Sequence, residues 1–462
     1  MARNTGGKFI LRIEDTDQKR EVEGAAEHLI ETLKWLGIDF DEGPGVGGEF
    51  GPYVQSQRRD IYEKYKEELL ATGNAYHCFC TSERLALMKT EQMVNKQPPR
   101  YDRLCRNLSK EEVAEKIAAG HPYVIRQKMP LEGEVKVHDE LHGDITFKAE
   151  NLEDHVLIKS DGMPTYQFAS VVDDHLMQIS HVLRGDEWIS SFPKNILLYQ
   201  AFGWQPPKFV HVPLILNKEG GKLSKRQGDV AVEDYREKGY LPEALINFCA
   251  LLGWHPKSDK EVLTVEEIIK EFKVEDIGVS PAVFDLEKLD YYNGYYIRHK
   301  NINELTDLCL PFLIDAEGRK IEPKDAEQMK FVKAIVGLEQ ERMKKLSDIA
   351  ESSEFFFADK LHYEKDLLIW KKFTDEQIKT NLLEVEEVLE RIPEEDWTRE
   401  SIEEAMMSHI QAKTKTVGEM LWPMRAALTG RKASPGPFEV AEVLGKEVSL
   451  KRIEGGVGKL VK

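Results

Sequence analysis

Apolar and polar positions change their rhythm along the chain. The opening stretch alternates strand and helix. Phe9-Ile10-Leu11-Arg12-Ile13 is a near-continuous apolar run that ends in Glu14-Asp15-Thr16-Asp17. That pattern predicts a parallel strand buried on both faces. From Glu21 to Leu36 the apolar residues recur at helical spacing (Val22, Ala25, Ala26, Leu29, Ile30, Leu33, Leu36), and Gly37 reads as the stop. The Gly/Pro-rich stretch Gly43–Pro52 predicts a loop, and Ile61–Leu70 a second helix before Gly73.

From Cys78 to about Ser160 the pattern shifts to that of an inserted α+β module. Ser109-x-x-Glu112 reads as a capping box, and Tyr123–Gln127 and Val135–Val137 as short strands. The α/β alternation is expected to resume at His155–Lys159 and to run through Val182 and Phe209–Leu216. Beyond Lys222 the chain is mainly helical. Thr264-x-x-Glu267 and Ser401-x-x-Glu404 read as further capping boxes. Leu382, Val385, Leu389 and Ile392 share one face of a helix that Pro393 ends, and simple core packing accounts for them. Lys432–Pro437 reads as a linker before a last helix.

At 462 residues, with 41% apolar and 32% charged residues, the chain has room for several domains. It holds no run of about 18 apolar residues, so no membrane span is expected. Five cysteines are too few and too uneven for a disulfide framework, which favours a reducing, cytoplasmic setting. The net charge of −18 argues against a general affinity for nucleic acid. A local basic face remains compatible with it.

Four segments carry candidate chemistry. Glu14, Asp15 and Asp17 follow the Phe9–Ile13 run, where ligands bind in doubly wound sheets; a helix cap is the competing role. Gly220-Gly221-Lys222-Leu223-Ser224-Lys225-Arg226-Gln227-Gly228 sets cations and a hydroxyl between glycines, as a phosphate-gripping loop needs. Alone, such a loop is a weak signal. Tyr166 lies in Ser160–Phe168. Arg184 ends an apolar run in His181-Val182-Leu183-Arg184-Gly185-Asp186-Glu187-Trp188, poised for a bidentate carboxylate grip. Its competing role is a structural partner of Asp173, Asp174 or Asp186, and His175 and His181 read as structural.

Together these segments resemble the bacterial-type glutamyl-tRNA synthetases, a class I aminoacyl-tRNA synthetase family. The resemblance runs from Gly6-Gly7-Lys8 through Glu14–Asp17, Tyr166, Arg184–Trp188 and Lys222–Arg226. It continues through Val283–Leu289 to Leu428-Thr429-Gly430 and Ser434-Pro435-Gly436, nearly the whole chain. It implies a Rossmann-type α/β catalytic domain, an inserted α+β acceptor-binding module and a helical anticodon-binding region. The expected boundaries are 1–57 and 160–220 for the two catalytic halves, 58–159 for the module, 221–300 for a stem-contact region and 301–462 for the helical region. The family's His-x-Gly-His turn would precede Phe9, which leads to the expectation of a longer natural protein by roughly one strand, turn and helix.

The resemblance also implies roles. Glutamate would be activated by ATP with Mg2+ to glutamyl-adenylate, then passed to the 3′ end of tRNA(Glu). Lys222, Ser224, Lys225 and Arg226 would grip the phosphates. Glu14 would hold the substrate ammonium with Tyr166 beside it, and Arg184 the substrate side-chain carboxylate. Glu187, Trp188, Leu214, Ile215 and Lys225 would border ATP. Asp17 and Arg342 are candidate tRNA contacts, with a solvated helix face as the alternative for Arg342. Cys78, Cys80 and Cys105 would supply most of a structural Zn2+ site, with Asn107 poorly suited as a fourth ligand and His77 a substitute; three reduced cysteines are the alternative. A monomer is expected. A glutaminyl enzyme is disfavoured by Arg184, and a shorter relative that modifies a tRNA base by residues 300–462. A catalytically silent tRNA-binding paralogue is the remaining alternative.

Overall fold

The computed structural model describes residues 1–17, 23–223, 231–315 and 317–460. They form two compact units: Met1–Val230 with Ile246–Asp285, and Ala231–Leu245 with Leu286–Lys462.

Among the described residues the first unit contains nine strands: β1 Ala75–Cys78, β2 Val124–Gln127, β3 Glu134–Asp139, β4 Gly143–Lys148, β5 Val156–Ile158, β6 His181–Gly185, β7 Lys208–Val212, β8 Ile215–Leu216 and β9 Ala282–Val283. β6 and β7 run parallel, with Arg184 opposite His211. Helices Tyr166–Leu176 and Phe192–Phe202 cover them, and Phe168, Phe192, Leu198, Tyr199 and Phe209 are buried in the shared core. β8 and β9 pair in parallel over two residues each.

Phe9–Ile13 departs from the expected doubly buried strand. It makes isolated parallel bridges, Ile10 to Glu42 and Ile13 to Val54, and all five residues are half-buried. Its hydrogen bonds run along one edge: Leu11 N to Glu42 O at 2.9 Å, Ile13 N to Tyr53 O at 2.8 Å. A strand laddered along one edge alone leaves its side chains partly uncovered, whatever their hydrophobicity.

The inserted stretch holds an antiparallel sheet of order β1-β2-β5 and the β3–β4 hairpin. Val135, Val137 and Asp139 alternate inward along β3. β5 therefore belongs to this antiparallel sheet, not to a resumed parallel one, because its partner is β2. The Ser109/Glu112 and Thr264/Glu267 capping boxes are both formed. Of the helix expected from Glu21, residues 18–22 lie outside the described residues; the helix spans Ala25–Trp35, and Gly37 beyond it adopts φ 69°.

The second unit is helical. Leu382, Val385, Leu389 and Ile392 are buried together on helix Asp375–Glu390 and the turn after it, among Ile402, Met420, Met424 and Ile453. Two expectations need correction. The helix carrying Ser401 begins earlier, at Arg399, and its cap is Thr398, whose hydroxyl accepts from Ser401 N. Ser401 is thus inside the first turn. The single last helix is two, Pro437–Leu444 and Lys446–Lys459, because Gly445 takes φ 77° and breaks the run.

The cap assignment predicts that Thr398→Ala weakens its helix by about 1 kcal/mol, whereas Ser401→Ala changes little. Hydrogen exchange across residues 397–404 should rise in the first variant and stay near wild type in the second.

Candidate active site

The charged residues around the carboxyl end of Phe9–Ile13 divide into a closed network and an open one. Asp173 is fully buried on helix Tyr166–Leu176. It receives Arg58 Nε at 2.7 Å, Tyr62 Oη at 2.8 Å and Gln55 Nε2 at 2.9 Å. Arg58 is itself 2% exposed and donates its remaining fork to Phe50 O and Pro52 O. The neighbouring Asp174 pairs with Arg12 at 2.9 Å. Burial pushes the Asp174 carboxyl up to about 6, against the pull of Arg12. Burial alone would lower Arg12, but Asp174, Glu14 and Asp173 reverse this and hold its guanidinium above its ordinary value. Arg12 also donates to Glu14 Oε1 at 2.9 Å. The two aspartates are thereby committed to Arg12 and Arg58.

Arg184, at the carboxyl end of β6, is left over. Its Nε donates to His211 Nε2 at 3.0 Å and one terminal nitrogen to Asn195 Oδ1 at 3.3 Å. Among the described residues no carboxylate lies within ion-pair distance of it. The competing structural role, as partner of Asp173 or Asp174, is taken by Arg58 and Arg12 instead. Burial depresses the Arg184 guanidinium below its ordinary value, with Tyr166 opposing. A half-buried arginine without an anion is a site that awaits one.

Tyr166, the first residue of its helix, lies between the opposing charges. Burial raises its phenol, Glu14 adds to the rise and Arg184 works against it. Its ring sits 4.9 Å from that of Trp188, and the Arg184 guanidinium lies 5.9 Å from the Trp188 ring. Glu14, Tyr166, Arg184 and Trp188 are thus brought together. Glu187 is exposed and pairs with Lys222 at 3.0 Å. Its carboxylate folds back over Gly185, where an added Cβ would collide with it. Leu214 is half-buried and Ile215 exposed, beside the β8–β9 pair. Asp17 is exposed next to Thr16, whose carbonyl accepts from Lys159 at 2.6 Å. Ser224, Lys225 and Arg226 lie outside the described residues.

The three cysteines also converge. Their sulfurs lie within 4.8 Å of one another, with Cys80 and Cys105 at 3.7 Å. The sequence offered His77 as a substitute for the poorly suited Asn107, and neither joins the cluster. Asn107 is exposed. His77 alternates with Cys78 along β1, so its ring faces the other way, packing at 4.9 Å on Tyr123. The fourth group is the buried Tyr101, with its hydroxyl 3.2 Å from Cys78 Sγ and 3.6 Å from Cys80 Sγ. Only the fold brings residue 101 into this cluster. The three thiols suit three corners of a tetrahedral zinc site, and the Tyr101 oxygen lies beside them.

In the second unit Arg342 stands not on a helix face but in the turn after helix Ala326–Glu339. It donates to Ser434 O at 2.9 Å and pairs with buried Glu339 at 3.2 Å. Arg425, which the sequence did not single out, donates to Ser434 Oγ and Lys432 O and lies 4.8 Å from the Trp422 ring. Burial, then the charge of Arg342, lowers Arg425. Two arginines thus share one turn despite repelling each other.

Comparison with known proteins matches this geometry. A family model described as tRNA synthetases class I (E and Q), catalytic domain, matches residues 1–291, and one described as anticodon binding domain matches residues 304–457. The glutamate–tRNA ligase of Clostridium botulinum strain Hall is 46% identical over 462 residues, 100% of this chain and 93% of the relative. That of Clostridioides difficile is 45% identical over 461 residues, 98% and 92% of the two chains. Among solved structures, a glutamate tRNA ligase from Elizabethkingia meningosepticum in complex with its amino acid superposes with a TM-score of 0.89 at 36% identity, covering 99% of this chain and 94% of that one. The chain belongs to the glutamate–tRNA ligases, a family of class I aminoacyl-tRNA synthetases with a catalytic domain followed by a helical anticodon-binding domain.

Proposed function

We propose that the chain activates glutamate with ATP to glutamyl-adenylate and transfers the glutamyl group to the 3′ end of tRNA(Glu), working as a cytoplasmic monomer. The observation that carries this is Arg184: half-buried, without a carboxylate partner among the described residues, and close enough to Tyr166 to act on its phenol, as Glu14 does with the opposite sign. A site with a guanidinium at one end and a carboxylate at the other suits a free amino acid with an acidic side chain. Arg184 takes the side-chain carboxylate and Glu14 the α-ammonium, with Tyr166 alongside.

The first step needs no general base, since the attacking α-carboxylate is already ionised. Its oxygen attacks the α-phosphorus and pyrophosphate leaves. The chain's task is to align nucleophile and phosphate and to stabilise charge on the phosphate oxygens. Lys222 serves this role with Ser224, Lys225 and Arg226 of the same loop. Its pairing with Glu187 keeps it beside the adenosine border formed by Trp188, Leu214 and Ile215. Mg2+ arrives with the triphosphate and neutralises part of its charge. In the second step a ribose hydroxyl of the terminal adenosine displaces AMP from the acyl carbon. Asp17 is the candidate contact for that adenosine. The module at 58–159 takes the acceptor end. Arg342 and Arg425, held on the Ser434 turn, take the anticodon.

Cys78, Cys80 and Cys105, with Tyr101 beside them, would hold a structural Zn2+ between β1 and the segment carrying residues 101–105. The ion would supply folding energy to the module and no chemistry to the reaction.

Four outcomes test these roles. The full chain with glutamate, ATP, magnesium and bulk bacterial tRNA should form glutamyl-tRNA. Arg184→Ala should lower kcat/KM for glutamate by roughly 10–150-fold, from ~1.5–3 kcal/mol of charged hydrogen bonding, with KM for ATP nearly unchanged. Binding of tRNA without any charging would instead support the silent paralogue. Elemental analysis of purified protein should find about one zinc per chain, and less in Tyr101→Phe; a metal-free wild type would remove the zinc assignment. Arg342→Ala and Arg425→Ala should each raise KM for tRNA several-fold and flatten its salt dependence, leaving KM for glutamate unchanged.

A further inference from the structure

Behind Arg184 lies a buried polar chain that the sequence did not reveal. His211 is fully buried on β7, directly opposite Arg184 on β6. Asp139, also fully buried, ends β3. The links run Arg184 Nε to His211 Nε2 at 3.0 Å, then His211 Nδ1 to Asp139 Oδ2 at 2.7 Å.

The direction of each hydrogen bond is fixed by chemistry. A guanidinium has N–H groups and no lone pair to offer, so Arg184 must donate. His211 Nε2 must therefore accept, which places the ring's only proton on Nδ1. That proton is donated to Asp139. Asp139 is held as an acceptor by the backbone N–H groups of Leu141, His142 and His211, each at 3.0 Å. Burial would raise the Asp139 carboxyl, but the His211 ring and these amides keep it low. Burial, with Arg184 on the same side, keeps the His211 ring below its ordinary value against the pull of Asp139.

The chain also determines which part of Arg184 is free. Nε is taken by His211 and one N–H by Asn195. Tyr166 also hydrogen-bonds the guanidinium, and the N–H groups that remain are available to a ligand. A neutral acceptor behind the arginine fixes its plane without supplying a competing carboxylate. An aspartate or glutamate at position 211 would satisfy the arginine and remove its need for the substrate. A protonated or wrongly tautomerised histidine would turn an N–H toward Arg184 and push it away.

We propose that His211 and Asp139 are positioning residues for glutamate selection: Asp139 sets the His211 tautomer, and His211 orients Arg184 toward the substrate side-chain carboxylate. This rests on the assignment of Arg184 to that carboxylate. Because Asp139 belongs to the β3–β4 hairpin and His211 to the parallel pair, the same chain ties the inserted stretch to the amino-acid pocket. The arrangement has the logic of a buried carboxylate that orients a histidine by its Nδ1 proton.

The test is calorimetric titration of glutamate into the full chain bound to tRNA(Glu) and a non-hydrolysable ATP analogue. His211→Leu and Asp139→Asn should each weaken glutamate roughly tenfold, the scale of outer hydrogen-bond partners. The affinity for the ATP analogue reports on the rest of the site and should move little, whereas the melting temperature should fall in both variants because each breaks a buried pair. His211→Gln, whose carboxamide oxygen can reach Arg184 Nε, should recover most of the loss. In the Arg184→Ala background, His211→Leu should cost nothing further, because the residue it orients is gone. Losses that multiply in the double variant, or a glutamate affinity within twofold of wild type in both His211→Leu and Asp139→Asn, would overturn the proposal. So would parallel losses of glutamate and ATP-analogue affinity in every variant. An Arg184→Ala chain that still binds glutamate as tightly as wild type would be a different failure. It would remove the Arg184 assignment itself.

Discussion

The site depends on how the buried charges are shared out. Two adjacent aspartates, Asp173 and Asp174, sit on one helix beneath the pocket, within reach of several arginines. Arg58 takes Asp173 from below and Arg12 takes Asp174 from the side. Each pairing satisfies a carboxylate whose isolation in the core would be strongly unfavourable. Once both are committed, Arg184 has only neutral partners. Arg184 is thereby left without a carboxylate partner among the described residues, which under the proposed reading makes it the positive end of the amino-acid site.

That division has a consequence for chemistry. The family's reaction begins with a nucleophile that is already an anion, so the protein has no proton to remove. What it must supply is orientation of a small zwitterion with an extra negative charge. Under the proposed reading, the charges of Arg184 and Glu14, with the aromatic pair Tyr166 and Trp188 beside them, give that orientation. Arg184 is itself held by Asn195 and the buried histidine on β7. The same economy recurs in the helical unit. There the Ser434 turn holds Arg342 and Arg425 close together, and buried Glu339 balances Arg342 from behind.

Much of this was legible in the sequence, and the failures have physical reasons. The Arg184 strand marks itself by pattern and position, and Arg184 stands at the carboxyl end of β6 as expected, whereas most of the Lys222 loop lies outside the described residues. The face Leu382–Val385–Leu389–Ile392 reads correctly because helical spacing and burial coincide. Three things were not legible. Hydrophobicity along Phe9–Ile13 does not say how many edges of a strand are paired, so its half-buried state came only from the coordinates. The sheet that β5 joins depends on a partner some thirty residues away in sequence, and short strands carry no mark of their partner. Tyr101 and Asp139 act through tertiary proximity to Cys78 and His211, which no local spacing encodes. His211 did leave a trace: a single imidazole inside the apolar run Phe209-Val210-His211-Val212. A polar group in a buried parallel strand must find a partner, and that signal was available before the fold was known.

The most direct test of the central claim is a crystal structure of the chain with glutamate bound. The account predicts the side-chain carboxylate at about 2.7–2.9 Å from the outer nitrogens of Arg184, the α-ammonium at Glu14, and the Arg12–Asp174 and Arg58–Asp173 pairs unbroken. A glutamate whose side-chain carboxylate displaces Asp174 from Arg12, leaving Arg184 without an anion, would contradict it.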